Sequence, residues 1–504
     1  MEFVDALRLG FSVSLSWQNL YFCLIGVTLG TAVGVLPGLG PTATISLLLP
    51  LTFRMEPVSA LIMLSGIFYG AMYGGSITSI LMRVPGEAAS IITCIDGYEM
   101  ARRGRAGTAL GMSAFASFIA GILSTIGIAV LGPAAAQLAF QFGPVERASL
   151  VVLGLIMVTM ISTGSRLNGL AMVAAGLLLS TVGADFVTGL DRFTFGKVEL
   201  SDGVNIALLA MGMFGLSELL IMAEKAADAS GLLPQPRRLV EMLPNREDWR
   251  RSAAPIGRGS LIGFVLGILP GGGALLASFA SYVIEKRVSS HPAEFGKGAI
   301  EGVAGPEAAN NAAAQGAFIP MLSLGIPSNA ITAMMLGALM IQGITPGPNL
   351  VRENPGLFWG TITSLLIGNG MLLVLNIPLL WLFVMLLRIP QYILSPLIML
   401  FCFVGAYSLS NSSFDVTLVA AFGIAGYVLR KADYDPAPFV IAFVLGSIFE
   451  KALRQALLLG FGSPKIFLER PISATLLGVA ALVLMIPLGR RWYGGKQGRT
   501  TSLS

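Results

Sequence analysis

The groups in this chain best suited to chemistry are backbone amides freed where apolar helices break. Leu36-Pro37-Gly38-Leu39-Gly40 interrupts an apolar run that begins near Asn19. Proline removes a backbone donor, and the glycines beside it favour unwinding. A second interruption, Leu269-Pro270-Gly271-Gly272-Gly273, lies downstream at a constant offset of 233 residues. A helix that restarts inside a membrane cavity points free N–H groups, and the positive end of its dipole, at that cavity. Two such starts would hold a carboxylate without a buried arginine or lysine. The substrate candidates are therefore Gly38, Gly40, Thr42, Thr44, Gly271, Gly272, Gly273 and Ser278, with Asn310 and Asn311 as further polar groups. Unwound carbonyls and hydroxyls at Gly74, Ser76, Thr78, Gly325, Ser328, Asn329 and Thr332 suit a cation such as Na⁺.

Each feature also has a plainer reading. A Pro-Gly pair can be a packing kink, and the glycines near Tyr73 can serve close helix contact. Pro306 marks a possible helix start, after which Glu307, Asn311 and Gln315 share one face at i, i+4 and i+8. That face is equally suited to an interhelical hydrogen-bond network. Glu87 and Asp96 read as organisers of a polar loop, and His291 as a solvated loop residue.

These groups need a membrane scaffold to position them. The 504 residues are 55% hydrophobic and 12% charged, about half the charge of an average soluble domain. Apolar runs recur from Asn19 to Leu488, and each crossing needs roughly 20 such residues. The expected fold is an all-α polytopic membrane protein. It has roughly 10–13 membrane segments, including re-entrant broken helices, and two inverted repeats. The expected organisation is an N-terminal repeat over 1–224, a basic cytoplasmic linker over 225–258, a second repeat over 259–385, and C-terminal membrane segments with a tail over 386–504. Arg102, Arg103 and Arg105, the linker arginines, and Arg490-Arg491 place their loops in the cytoplasm. Basic residues on both sides of the second break suggest a hairpin; a single broken span is the competing geometry.

Enzyme chemistry finds no support. No Walker lysine follows a glycine loop, and no zinc pattern or nucleophile elbow stands in usable context. The three cysteines are far apart and suggest neither a disulfide framework nor a metal site. No cofactor is expected beyond a coupling cation, Na⁺ or H⁺.

At these motifs the sequence resembles the large integral-membrane subunit of the tripartite tricarboxylate transporters, the TctA family. The matching runs include Gly34 to Pro41, Tyr73-Gly74-Gly75-Ser76, Pro85-Gly86-Glu87, and Asp96 to Ala101. They continue through Leu269 to Gly273, Gly305 to Ala313, Leu324-Gly325-Ile326-Pro327 and Gly343 to Pro348. The C-terminal part is similar through Gly405-Ala406-Tyr407 and Arg470-Pro471-Ile472-Ser473. Ser328-Asn329 stands where Gly-Ser is expected, and Arg83 where a small polar residue such as Asn is usual. The resemblance implies cation-driven uptake of a carboxylate across a bacterial cytoplasmic (inner) membrane. It also implies a small membrane subunit and an extracytoplasmic solute-binding protein as partners. A gated organic-anion channel or a non-transporting sensor on the same fold is the alternative.

Overall fold

The computed structural model describes residues 2–36, 40–161, 165–224, 233, 236, 238–271, 273–387 and 391–497. The first stretch holds α1 (Phe3–Ser14), α2 (Trp17–Val35), α3 (Pro41–Thr52), α4 (Pro57–Met82), α5 (Thr93–Met100) and α6 (Ala106–Ala139). It is followed by α7 (Pro144–Ile161), α8 (Arg166–Leu179), a two-residue β-ribbon, and α9 (Ile206–Ala210) with α10 (Ser217–Glu224). The second half continues with α11 (Arg246–Ile268), α12 (Gly273–Val288), α13 (Glu301–Gly316), α14 (Ala330–Ile341), α15 (Leu350–Glu353) and α16 (Pro355–Asn376). Last come α17 (Leu380–Leu386), α18 (Gln391–Ser410), α19 (Ser413–Lys431), α20 (Pro436–Leu459), α21 (Ile466–Glu469) and α22 (Pro471–Gln497). Among the described residues, seven helical stretches are long and apolar enough to cross a membrane, and five shorter apolar helices accompany them. This is a polytopic α-helical membrane protein.

Contacts divide the chain into two compact units. One combines Met1–Ala139 with Asn205–Val428; the other combines Phe140–Val204 with Leu429–Ser504. In the second unit, α7 and α8 pack against α20, and Arg454 and Arg192 tie the 180–205 loop to Glu450. The functional candidates lie in the first unit.

That unit contains the same structural motif twice. Val35 ends α2 and Ile268 ends α11, 233 residues apart, and in each case the next residue turns extended (Leu36 ψ 113°, Leu269 ψ 129°). The cause is the proline that follows, which clashes with a helical conformation in the residue before it. A short helix comes next, α3 or α12, and then α4 or α13. Along α2, Gly26, Gly30 and Gly34 lie against the backbone of Met63, Ile67 and Ala71. Along α11, Gly259, Gly263 and Gly267 lie in the same way against Gly305, Ala309 and Ala313. Every glycine in the second set follows its counterpart by 233, and every contacted residue by 242. Glycine permits this backbone-to-backbone approach: a Cβ on Gly263 would sit 2.7 Å from the Ala309 Cα.

The equivalence continues past the long helices. Arg83 closes α4 in the left-handed region (φ 60°, ψ 24°), and Gly325 does so after the turn that follows α13 (φ 70°, ψ 25°). Val84-Pro85-Gly86-Glu87 then corresponds to Ile326-Pro327-Ser328-Asn329. Glu87 caps the 3₁₀ turn Ala88–Ile91 in a capping box with Ser90, as Asn329 caps α14 in one with Thr332. The copies also exchange elements. α14 of the second packs on α3 of the first, while Ala88–Ile91 of the first packs on α12 of the second. Where the equivalent helices α4 and α13 meet, Phe68 contacts Phe318 and Ser76 contacts Glu307, so the two run antiparallel. The axis relating them is therefore perpendicular to membrane-crossing helices, and the repeats are inverted.

The second break forms a hairpin. Arg258 on α11 and Glu285 on α12 form a two-point ion pair at 2.8 and 2.5 Å, which a single broken span would hold far apart. α3, with 12 residues and a length of about 18 Å, is too short to cross a core about 30 Å thick.

Several local expectations change. α13 begins at Glu301, not at Pro306, because Asp96 accepts the N–H groups of Gly296, Gly298 and Ala299 and fixes the chain that leads into the helix. Thr42 and Thr44, named as substrate candidates, fall in the first turn of α3. They sit inside the helix, the Thr44 hydroxyl bonding back to the Gly40 carbonyl, and the start at Gly40 has no side-chain cap. The 356–387 stretch is α16 and α17 with an interruption at Ile377–Leu379.

Candidate functional site

Two polar assemblies stand within the first unit. The first is built around the hairpin tip and two helix starts. The Gly271 N–H (φ +76°) donates to the Ser328 carbonyl at 2.8 Å, which docks the tip against the unwound segment before α14. Ser328 is fully buried, and its hydroxyl has no partner among the described residues. The amides of Ser328 and Asn329 both donate to Thr332 Oγ1 at 3.1 Å, and the Thr332 amide donates to Asn329 Oδ1. That helix start is satisfied within itself. α3 lies alongside α14, and at their far ends Gln342 donates to the Thr52 carbonyl at 2.7 Å. Pro41 has no N–H, and the amides of Thr42 and Ala43 lack intrahelical acceptors. A buried free hydroxyl and a glycine tip thus meet at the start of α14, and α14 packs on α3, the helix with the uncapped start. Such a place suits an anion, since N–H dipoles and a hydroxyl can replace water around a carboxylate.

The second assembly is acidic. Glu307, on α13, is wholly buried. Its carboxylate accepts hydrogen bonds from Ser76 on α4 at 2.7 and 2.8 Å, from Ser113 on α6 at 3.0 Å, and from Thr93 at the head of α5. Ser117, one turn along α6, lies 3.5 Å away. Asn311 donates to Ser117 at 2.6 Å and holds that hydroxyl with its proton toward Glu307. Glu87 is also buried. It receives the Ala89 amide at 2.7 Å and the Asn310 side-chain amide at 3.0 Å. The Asn310 Oδ1 is buried without a partner among the described residues. Neither carboxylate forms an ion pair with lysine or arginine among the described residues.

The candidates named from sequence therefore divide. Gly40, Thr42, Thr44 and Gly271 lie at the tip and helix starts, together with Ser328, Asn329 and Thr332. Gly273 opens α12 (φ +52°) with open space where a Cβ would go. Ser278 donates to the Ala274 and Pro306 carbonyls, joining α12 to α13. Ser76, Asn310 and Asn311 belong to the acidic assembly. Gly74 packs against the Thr31 backbone, Thr78 bonds back to the Gly75 carbonyl, and Gly325 serves as the left-handed stop. Gly38 and Gly272 lie outside the described residues. The face shared by Glu307, Asn311 and Gln315 packs on α6, where Thr125 donates to Gln315 at 2.9 Å. Sequence reasoning missed Ser113, Ser117 and Thr93. The signal was present: Ser113, Ser117 and Thr125 form a hydroxyl stripe with four- and eight-residue steps along an otherwise apolar helix.

Asp96, an expected loop organiser, is buried and also accepts the Tyr282 hydroxyl at 2.9 Å. Outside the membrane helices, backbone N–H groups of Thr188 and Val187 and the Arg454 guanidinium hold the Asp185 carboxyl well below the usual carboxylate range.

Comparison with known proteins agrees with this architecture. Residues 20–441 match the Tripartite tricarboxylate transporter TctA family. A protein of Agrobacterium vitis described as an uncharacterized 52.8 kDa protein in the TAR-I ttuC' 3'region is 49% identical over 488 residues, covering 97% of each chain. Another from the same organism, described as an uncharacterized protein in the TAR-II ttuC' 3'region, is 51% identical over 226 residues, 45% of this chain and 93% of its own. No solved structure matches. The chain belongs to the tripartite tricarboxylate transporter TctA family.

Proposed function

We propose that this chain is the membrane permease subunit of a solute-binding-protein-dependent secondary transporter. It imports a carboxylate, a tricarboxylate or related organic anion, by symport with Na⁺ or H⁺ across a bacterial cytoplasmic membrane. A small membrane subunit and an extracytoplasmic binding protein complete the system, as the family's tripartite character implies. The observation that carries the reading is the Gly271 tip docked on Ser328, whose buried hydroxyl has no partner among the described residues, at the start of a helix that packs on α3. Helix starts that face an internal cavity bind anionic substrate groups in transporters built from inverted repeats. The buried carboxylates Glu87 and Glu307 repel an anion and suit the coupling cation. On this reading Asn310 and Asn311 serve the cation side, and Ser328, Asn329 and Thr332 serve the substrate side.

Ser328→Ala tests the assignment through two readouts of opposite sign. Removing a buried hydroxyl without a partner leaves the ligand-free protein unchanged or about 1 kcal/mol more stable. The same change lowers apparent carboxylate affinity by about tenfold, read as lost thermal stabilisation across a panel of carboxylates. Unchanged stabilisation by the preferred carboxylate refutes the placement of the site. Counterflow of labelled substrate that requires the cation supports symport; passage without exchange or cation requirement supports a channel.

A further inference from the structure

A small cavity of about 10 Å³ lies beside the acidic assembly, lined by Tyr73, Ser76, Ile77, Leu110, Ser113, Ala114 and Asn376. That volume is about the minimum for one water molecule. Two of its lining hydroxyls, Ser76 and Ser113, are the ones that donate to Glu307. Asn376, at the end of α16, is 4% exposed; its amide nitrogen donates to the Leu372 carbonyl, and its Oδ1 is buried with no partner among the described residues. The cavity thus joins an unpartnered oxygen to two hydroxyls backed by a carboxylate.

We propose that this cavity binds one dehydrated Na⁺, with Ser76, Ser113 and Asn376 offering oxygen ligands and Glu307 supplying the balancing charge. The proposal rests on the cation-coupled reading above and names its ion site. Three features argue for it. The hydroxyls of Ser76, Thr93 and Ser113 are all placed to donate to Glu307, which suits its charged form. A carboxylate buried with no lysine or arginine partner among the described residues is relieved by a bound cation. Of the two buried carboxylates in the assembly, only Glu307 bonds the hydroxyls that line the cavity, and its one negative charge balances a monovalent cation. Glu307 has no counterpart in the inverted copy, where the equivalent position is Ser65, whose hydroxyl bonds its own helix at the Leu61 carbonyl. The site therefore exists once per chain.

The test uses the purified full-length chain, with thermal midpoints measured in NaCl against choline chloride at constant ionic strength and at pH 6 and 8. Na⁺ is expected to raise the wild-type midpoint saturably. Asn376→Ala should fold and need at least tenfold more Na⁺ for the same shift, and Glu307→Gln should lose the shift. If Glu307→Gln does not fold, Asn376→Ala and Ser113→Ala carry the test. An unchanged Na⁺ dependence in both overturns the site, as does a wild-type midpoint that follows pH and ignores Na⁺. Uptake by the assembled transporter separates the two levels. A wild-type and Asn376→Ala pair with equal Na⁺ requirements overturns this site and leaves symport standing. Carboxylate exchange without any cation requirement overturns both.

Discussion

The Arg258–Glu285 pair offers the sharpest test of the re-entrant geometry. Glu285 is fully buried, and Arg258 reaches it at 2.5 and 2.8 Å from the other arm of the hairpin. At that separation and an effective dielectric near 20, the Coulomb attraction is about 6 kcal/mol before desolvation. Breaking a fully buried pair by removing one partner costs about 3–5 kcal/mol. The Arg258 side chain is 38% exposed, so water recovers part of the lost interaction. We expect a coupling energy of about 2 kcal/mol, roughly 30-fold in a folding equilibrium. The assay is a double-mutant cycle of Arg258→Met, Glu285→Leu and the double variant, read by denaturant or thermal unfolding in detergent. The double variant should be more stable than Glu285→Leu alone, since the arginine no longer faces an emptied carboxylate site. Purely additive effects would refute the hairpin. In a straight broken span the two residues, 27 apart in sequence, would be separated by about 40 Å and could not couple.

Further expectations concern packing, backbone and pH. Gly263→Val should destabilise the fold by about 3 kcal/mol or more, because its side chain meets backbone that cannot yield. Gly257→Ala on the same helix has open space and should stabilise by about 0.5–1 kcal/mol; reconstituted yield and thermal midpoint separate the two. Arg83→Asn should raise the midpoint by the equivalent of up to about 1 kcal/mol, since asparagine tolerates the left-handed conformation better, offset in part by loss of the arginine's contact with the Tyr98 ring. The depressed Asp185 carboxyl contributes stability that is present above about pH 4, the unfolded value, and is lost as pH falls toward the folded one. Asp185→Asn should flatten that acid limb in midpoints measured between pH 3 and 6.

What could be read from sequence was whatever proline, glycine and hydrophobicity dictate locally. The constant 233-residue offset located both breaks, and charge on either side of the second one suggested its hairpin. The second register, 242 residues, was hard to read, because identical matches such as Pro85 with Pro327 are scattered among unlike ones: Arg83 with Gly325, Glu87 with Asn329, Ser90 with Thr332. Only backbone angles and capping geometry show that they do the same work. The two departures from the family pattern gain meaning for the same reason. Arg83 occupies a position that demands a left-handed backbone, and Ser328 adds a hydroxyl where its counterpart Gly86 has none. The acidic assembly was only half visible. Glu307 and Asn311 were aligned on one helical face, but the hydroxyls that complete the cluster come from α4, α5 and α6, and no local pattern reports a meeting of distant helices.

The exchange of short helices between the two copies also constrains how the chain is made. α3 meets α4 early, but its contact with α14 waits for the second half of the chain, since Gln342 bonds to Thr52 across 290 residues. At about 5–20 residues per second of synthesis, that is roughly 15–60 s during which a half-length helix lacks its contact from the other copy. For that time the face of α3 that α14 will cover, with its Thr52 end, must be sheltered by the insertion machinery or a companion protein. Production of this protein should therefore be limited by the wait for its second half, and slowing translation should harm it more than cooling the finished molecule.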